Sequence, residues 1–164
     1  MSDDIPSVGR SSAAGSPDDP FAPFVPRRGR MVAIGLAVAA IGLFTAIGFV
    51  IPATPIHDFK LFDRILFAGI GWALAALFFR YATIKAVPTR EGLRVRNLFL
   101  TRIVTWPQVV GIQFGHGMPW PTLELNDTET LAVMAIQRSD GKRSITESAR
   151  LHALVTALGE AREV

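Results

Sequence analysis

The chain has 164 residues, of which 49% are hydrophobic, and it carries a formal net charge of +3 with no cysteine. The lack of cysteine excludes disulfide bonds, thiolate nucleophiles and cysteine-ligated metals. A mean hydropathy of +0.33 is higher than that of an ordinary soluble domain. The excess is confined to part of the chain, so the sequence divides into unlike segments.

Residues 1–26 are rich in proline, serine, glycine and aspartate and show no apolar periodicity. Such a segment cannot bury enough apolar surface to offset the entropy lost on ordering. We expect residues 1–30 to form a disordered tail that ends in the basic flank RRGR. A docking segment built on Phe21 and Phe24 is the alternative for the end of this tail.

Residues 31–51 contain no charged side chain and only Thr45 as a polar one. At a rise of 1.5 Å per residue they form a helix about 31 Å long, which is enough to cross the hydrocarbon core of a bilayer. Because Pro52 and Pro55 end it, the run predicts a transmembrane helix over residues 31–53. A cleaved signal peptide is the alternative, but its apolar core is usually only about 7–15 residues long.

A short external link over residues 54–60 leads to a second apolar run, which predicts a transmembrane helix over residues 61–80. Asp63 and Arg64 lie in the first turn of this helix, where they can pair or reach the interface. Cations flank the two runs mainly on the side of the termini. This predicts a multi-pass protein of the cell (inner) membrane with both termini in the cytoplasm. The flanking cations are Arg27, Arg28, Arg30, Arg80 and Lys85, against Lys60 in the link.

From residue 81 onward the apolar pattern has a period of two, which is typical of half-buried strands. A stripe with helical spacing follows near the C-terminus. Together they predict an α+β chain whose domain over residues 81–160 is a small sandwich or barrel covered by one amphipathic helix. The six strand-like runs are YATIKAV, GLRVRNL, RIVTW, VVGIQF, PTLELN and LAVMAI, and the helical stripe consists of Leu151, Leu154, Val155 and Leu158.

The order and spacing of short motifs over residues 81–158 resemble a known family. The segment is similar to the bacterial PH family typified by the actinobacterial low-molecular-weight protein antigen 6, in which two membrane helices commonly precede the domain. The resemblance implies a PH-like small β-barrel or sandwich capped by the C-terminal helix, and it carries over no established chemistry. The motifs are GLRVRN (92–97), RIVTWPQV (102–109), FG (114–115), MPW (118–120), LEL (123–125) and AI (135–136) before DG (140–141).

No residue pattern matches an enzyme template. Asp127, Glu129 and Asp140 lie in turn-like segments, where we expect them to be solvated. No nucleophile stands beside a histidine in a known signature, and neither His116 nor His152 has a convincing set of metal ligands around it. We therefore expect no catalytic residue, no metal site and no cofactor.

Cations concentrate near the start of the domain. Residues 80–102 carry six cations and one acid, whereas residues 103–164 carry a net charge of −2. Arg94 and Arg96 are two positions apart in a strand and so share one face. Near an anionic cytoplasmic leaflet each cation contributes about 1 kcal/mol. The candidate lipid- or partner-binding residues are Lys85, Arg90, Arg94, Arg96 and Arg102.

The segment GHGMPWP at residues 115–121 is a second candidate site. Its glycines permit unusual backbone angles, while its methionine and tryptophan offer adaptable apolar surface. The candidate residues are His116, Met118 and Trp120. A long hairpin connection is the simpler interpretation of this loop. Packing is the alternative to a binding groove for both Trp106 and Trp120.

These features predict a non-enzymatic, membrane-anchored interaction or scaffold module at the cytoplasmic face of the membrane. Its expected partners are the lipid bilayer and an unidentified membrane or cytoplasmic protein. The alternatives are a direct sensor of anionic lipid headgroups through the basic first hairpin, and an accessory subunit of a transport or cell-envelope complex. Nucleic acid is not expected, because the chain lacks a recognition module and interleaved stacking aromatics.

A reporter fused after Val164 tests the predicted topology. We expect a cytoplasmic signal, because the cations that flank the apolar runs lie on the side of both termini. The same reporter placed within residues 54–60 is the control and should give an external signal. An external signal from the C-terminal fusion would reverse the orientation.

Overall fold

The computed structural model describes residues 19–50 and 61–159 and has the α+β architecture that the sequence predicts. Each of its six strands overlaps one of the six predicted runs. The helices are α1 (Arg27–Val50), α2 (Leu61–Ala82) and α3 (Lys142–Gly159), and the strands are β1 (Lys85–Pro88), β2 (Gly92–Arg96), β3 (Thr101–Thr105), β4 (Val109–Gln113), β5 (Thr122–Leu125) and β6 (Thr130–Ala132), with short 3-10 helices at Trp106–Gln108 and Arg138–Asp140.

Helices α1 and α2 are antiparallel neighbours that pack through small residues. Gly48 lies against Arg64, whereas Phe44, one turn earlier in α1, lies against Gly71 further along α2. The approach at Gly71 is close, since a Cβ atom there would lie 2.6 Å from the Cβ of Phe44. Small residues at such contacts are typical of helices that associate in membranes. The buried small residues of the pair are Ala33, Ala37, Ala40, Gly48, Gly71, Ala75 and Ala82.

Both helices are long and apolar enough to cross a membrane. Their 24 and 22 residues extend about 36 and 33 Å, compared with roughly 30 Å for the hydrocarbon core. Large apolar side chains on the outer surface of the pair are exposed, including Val38, Leu43 and Phe79. Length, composition and exposure therefore make α1 and α2 candidate membrane spans.

Arg64 joins the start of α2 to the end of α1. Its Nη1 donates hydrogen bonds to the carbonyl oxygens of Gly48 at 2.9 Å and Phe49 at 3.4 Å. The last carbonyls of a helix have no partner within the helix, and the Arg64 side chain supplies a donor to two of them at this end of α1.

The strands form two three-stranded antiparallel sheets. The first sheet has the order β1-β2-β3 and the second sheet has the order β4-β5-β6. Helix α3 buries Leu151 and Leu154 against the core between them, as its apolar stripe predicts. Trp106 is also buried, and its indole N–H donates to the carbonyl of Thr89 at 2.9 Å, which confirms the packing interpretation of this tryptophan.

The segment just before α1 is part of the domain core, and the predicted disordered tail is wrong for residues 19–26. Phe24 is 0% exposed and exchanges backbone hydrogen bonds of 2.8 and 3.0 Å with Ala86 of β1. The Arg150 guanidinium lies 3.9 Å above the Phe24 ring and donates to three carbonyls, those of Asp19, Pro20 and Ala22. The burial of Phe24 and these hydrogen bonds offset the entropy lost on ordering the segment. This agrees with the alternative of a docking segment built on Phe21 and Phe24.

Three further boundaries differ from the sequence prediction, of which one is the end of α2 at Ala82 rather than residue 80. In the run LAVMAI the strand ends at Ala132, where the Asn97 side chain donates to the Ala132 carbonyl and accepts from the Met134 N–H. Helix α1 starts at Arg27 rather than residue 31, so the basic flank is its first turn. The predicted tail up to residue 18, residues 51–53 of the first span, and the link 54–60 lie outside the described residues.

Asp140 caps the start of α1 from the other end of the chain. Its carboxylate accepts hydrogen bonds from the backbone N–H groups of Arg27 at 3.1 Å and Arg28 at 2.9 Å. These donors have no partner within the helix, and the positive end of the helix dipole favours a carboxylate. The prediction that Asp140 is merely solvated is therefore wrong.

A second contact beside this cap links both helices to the domain. The Gln137 side chain donates to the Tyr81 hydroxyl of α2 at 2.6 Å. It also lies against Gly29 of α1, where a Cβ would collide with it. We call the contacts of Asp140 and Gln137 with the two helices the junction. Because the junction holds the start of α1 and the end of α2, it fixes the position of the domain relative to the helix pair.

Gly71→Ala tests the close packing of α1 and α2. The added methyl must displace Phe44, and overpacking of this kind costs about 1–3 kcal/mol. Gly69→Ala is a matched control, because nothing lies within 4 Å of its Cβ position. Unfolding of the full chain in detergent should show a lower stability for the first variant alone, and equal stabilities would contradict the packing.

Asp140→Ala tests the cap at the junction. Loss of an N-terminal cap costs typically about 1 kcal/mol, and the amides of Arg27 and Arg28 should exchange hydrogen faster. Asp140→Asn keeps a side-chain acceptor and is expected to retain most of the protection. Unchanged exchange at both amides in the alanine variant would show that the cap does not hold α1.

Candidate binding surface

Three of the predicted cations lie together on the outer face of the first sheet. The antiparallel register places Lys85 opposite Arg96, and Arg94 opposite Val87. Because side chains alternate along a strand, these cations point away from the core, whereas Val95 between the two arginines is buried. We call Lys85, Arg94 and Arg96 the basic face. With Val87 and Thr89 they line a cavity of ≈ 380 Å³.

The charge of the basic face is not neutralised within the described chain. Over residues 19–50 and 61–159, the ion pairs involve arginines of β3 and α3 and none of these three cations. Cations held together on one face without a carboxylate partner produce a positive potential, which attracts an anionic group or surface. The arrangement therefore suits phosphate or another anion.

Arg102 lies apart from the basic face. In β3 the neighbours of Arg102, Thr101 and Ile103, lie opposite Arg96 and Arg94, so the Arg102 side chain is on the opposite face of the sheet from the basic face. Its guanidinium pairs with Glu129 and, at 3.4 Å, with Asp127. The hydrogen bond to Glu129 and the two negative charges raise the pKa of Arg102 above its ordinary value. Asp127 and Glu129 are exposed, as the sequence predicts, and they also join the β5–β6 turn to the first sheet.

Arg90 lies at the opposite end of the basic face from Lys85. It follows Thr89, whose carbonyl accepts a hydrogen bond from the buried Trp106 side chain. The carbonyl of Trp106 lies beside Gly159, at the end of α3. The start of α3 lies at the junction, because Lys142 comes two residues after Asp140. Helix α3 is about 27 Å long at 1.5 Å per residue, so Arg90 is remote from the junction.

Loop 115–121 is held in place by Arg138, a residue that the sequence analysis did not single out. Its Nε donates to the carbonyl of Met118 at 2.8 Å, its Nη2 donates to the carbonyl of Gly115, and its guanidinium lies 4.9 Å from the centre of the Phe114 ring. The loop therefore has a defined conformation. Because the partners of Arg138 lie about 20 positions earlier, no local sequence signal indicates this role.

The structure divides the three loop candidates between two depressions. Met118 and Trp120 line a cavity of ≈ 510 Å³ together with Tyr81 and Gln137 of the junction. His116 lines a separate depression beside Ile145. Within the described residues no group of three or more His, Asp or Glu side chains could hold a metal.

Comparison with known proteins finds relatives of this chain in mycobacteria. The chain is 36% identical over 87 residues to uncharacterized proteins of Mycobacterium bovis and Mycobacterium tuberculosis. The similarity covers 53% of this chain and 56% of each relative, so the matched region spans only about half of their length. No solved structure matches the chain significantly.

A family model described as "Bacterial PH domain" matches residues 87–153. The matched segment begins within β1 and ends within α3, and so covers both sheets and most of the closing helix. The resemblance predicted from the sequence motifs is therefore confirmed, because the bacterial PH domain model matches residues 87–153, which lie within the segment that carries those motifs.

Proposed function

We propose that this chain is a non-catalytic, membrane-anchored binding module. In this proposal α1 and α2 span the cell membrane, and the PH domain lies at the cytoplasmic face, where it organises a membrane or cytoplasmic protein partner. The observation that carries the proposal is the position of the basic face, whose first residue, Lys85, comes three residues after the end of α2.

Electrostatics favours a fixed pose of the domain on an anionic leaflet. Each cation near such a surface contributes roughly 1 kcal/mol, and the attraction falls off within a Debye length of about 8–10 Å. Attachment to a membrane span also raises the effective concentration of the domain at the headgroups, so weak contacts suffice. Cations that flank membrane helices are more frequent on the cytoplasmic side. This favours a cytoplasmic position of the domain, because Arg27, Arg28 and Arg80 lie at the domain end of the helices.

The protein partner is expected at the cavity lined by Met118, Trp120 and Tyr81. Aromatic and methionine side chains beside a few polar groups are typical of interface centres. Arg138 fixes the loop that carries them, so the surface is organised before a partner binds, which lowers the entropy cost of association.

A second candidate function is direct sensing of anionic lipid headgroups. It is favoured by the cavity between Lys85, Arg94 and Arg96, because three cations around one depression can contact a single phosphate group,. In this second function the lipid headgroup is the ligand that the domain recognises, whereas in the leading proposal the lipid only sets the pose of the domain.

Charge reversal on the basic face tests its contact with lipid. The full chain is placed in nanodiscs that contain an anionic lipid with a photoactivatable headgroup, and crosslinked residues are mapped by mass spectrometry. The full chain is required because a fragment starting at residue 80 lacks Phe24 of the core. We expect crosslinks at Lys85, Arg94 and Arg96. Arg94→Glu with Arg96→Glu should reduce them about thirtyfold, since two cations of roughly 1 kcal/mol each are lost.

Arg90→Glu alone is the control, because Arg90 is an exposed cation in the turn between β1 and β2, at the end of the first sheet that is remote from the junction. It should leave the crosslinks in place. Equal yields from the wild type and the double variant, or the same loss in the control, would contradict a basic face that contacts the leaflet.

Affinity purification of the same variants from membranes separates the two functions. Recovery of the same protein partner with the double variant supports an interaction module. The interaction module also predicts that Trp120→Ala abolishes recovery of that partner. If recovery of the partner depends on the basic face alone, the lipid sensor is favoured.

A further inference from the structure

The turn between β2 and β3 presents two large apolar side chains to the surroundings of the domain. Phe99 is 83% exposed and Leu100 is 55% exposed. The neighbouring Leu98 packs against the core, and Asn97 is buried. Single exposed apolar residues need no explanation, but an adjacent pair at the tip of a turn is a local apolar patch.

The backbone of this turn is firmly held. The Asn97 N–H donates to the Leu100 carbonyl at 2.8 Å, and the Asn97 side chain donates to the Ala132 carbonyl at 2.7 Å and accepts from the Met134 N–H at 3.3 Å. The exposure of Phe99 and Leu100 is therefore a consequence of a fixed conformation rather than of fraying, and both side chains keep their outward position.

The tip lies at the end of the first sheet that is closest to α2. Strand β2 ends at Arg96, which pairs with Lys85 at the start of β1, and the turn continues from there. Asn97 also contacts the end of β6, which leads towards Gln137 at the junction. The apolar pair is thus next to the basic face and on the side of the domain where the helices attach.

We propose that Phe99 and Leu100 insert into the interfacial layer of the bilayer while the basic face contacts its anionic headgroups. This inference rests on the proposed function, because it requires the domain to lie at a membrane. A lipid surface fits the chemistry better than a protein groove, since aromatic and aliphatic side chains beside cations are typical of segments that bind the membrane interface. The tip then acts as a second, apolar attachment whose binding depends little on salt.

Single-cysteine labelling tests the insertion directly, because the chain has no cysteine of its own. A polarity-sensitive fluorophore is attached at Phe99→Cys, and separately at Leu100→Cys, in the full chain placed in anionic nanodiscs. Lipids that carry a nitroxide just below the headgroup serve as quenchers. We expect blue-shifted emission and strong quenching at both positions.

Val110→Cys is the matched control, since it is 65% exposed on β4. It follows the 3-10 helix Trp106–Gln108, which lies at the end of α3 remote from the junction. The control should show neither the shift nor the quenching. Emission typical of water at both tip positions, or quenching equal to that at the control, would overturn the insertion.

The result can be separated from a failure of the proposed function. Headgroup crosslinks at the basic face without quenching at the tip would overturn the insertion and leave the basic face in contact with lipid. Loss of both signals would overturn the insertion and the membrane pose together. Persistence of tip quenching at high salt, with reduced crosslinks, would support insertion as an independent apolar attachment.

Discussion

The carboxylate of Asp140 at the start of α1 is the interaction on which the arrangement of the molecule depends. A helix leaves its first N–H groups without partners, and here two of them bind a side chain more than a hundred positions later. Together with the contact between Gln137 and Tyr81, the cap fixes the PH domain relative to both long helices. The orientation of the basic face and of the β2–β3 tip follows from this attachment, because both lie on the same rigid first sheet.

The parts of the fold that follow local rules could be predicted from the sequence. An uncharged run of 21 residues predicts a long apolar helix whatever its neighbours are, and period-two runs predicted the positions of all six strands. The spacing of Leu151 and Leu154 predicted the buried side of α3. The alternation of Arg94 and Arg96 around Val95 likewise predicted that the two arginines share one outer face.

The parts that depend on distant partners could not be predicted. Composition made residues 19–26 resemble a disordered tail, yet Phe24 fills a space in the core that only the folded domain creates. Arg102 belongs to the same basic segment as Arg96, but its carboxylate partners come from the β5–β6 turn and neutralise its charge. Asp140 and Arg138 occupy ordinary turn positions, and their roles arise from groups that meet them only in three dimensions.

The proposed pose of the PH domain is tested most directly by paramagnetic relaxation in nanodiscs whose lipid headgroups carry gadolinium. Amide signals of the full chain are compared along the first sheet and the remote end of α3. The strongest broadening is expected at Lys85 and at residues 96–100, with little at Thr89, Arg90 or Val110. Uniform broadening, or broadening strongest around Arg90 and Val110, would contradict a domain that is held by the junction with its basic face and tip against the membrane.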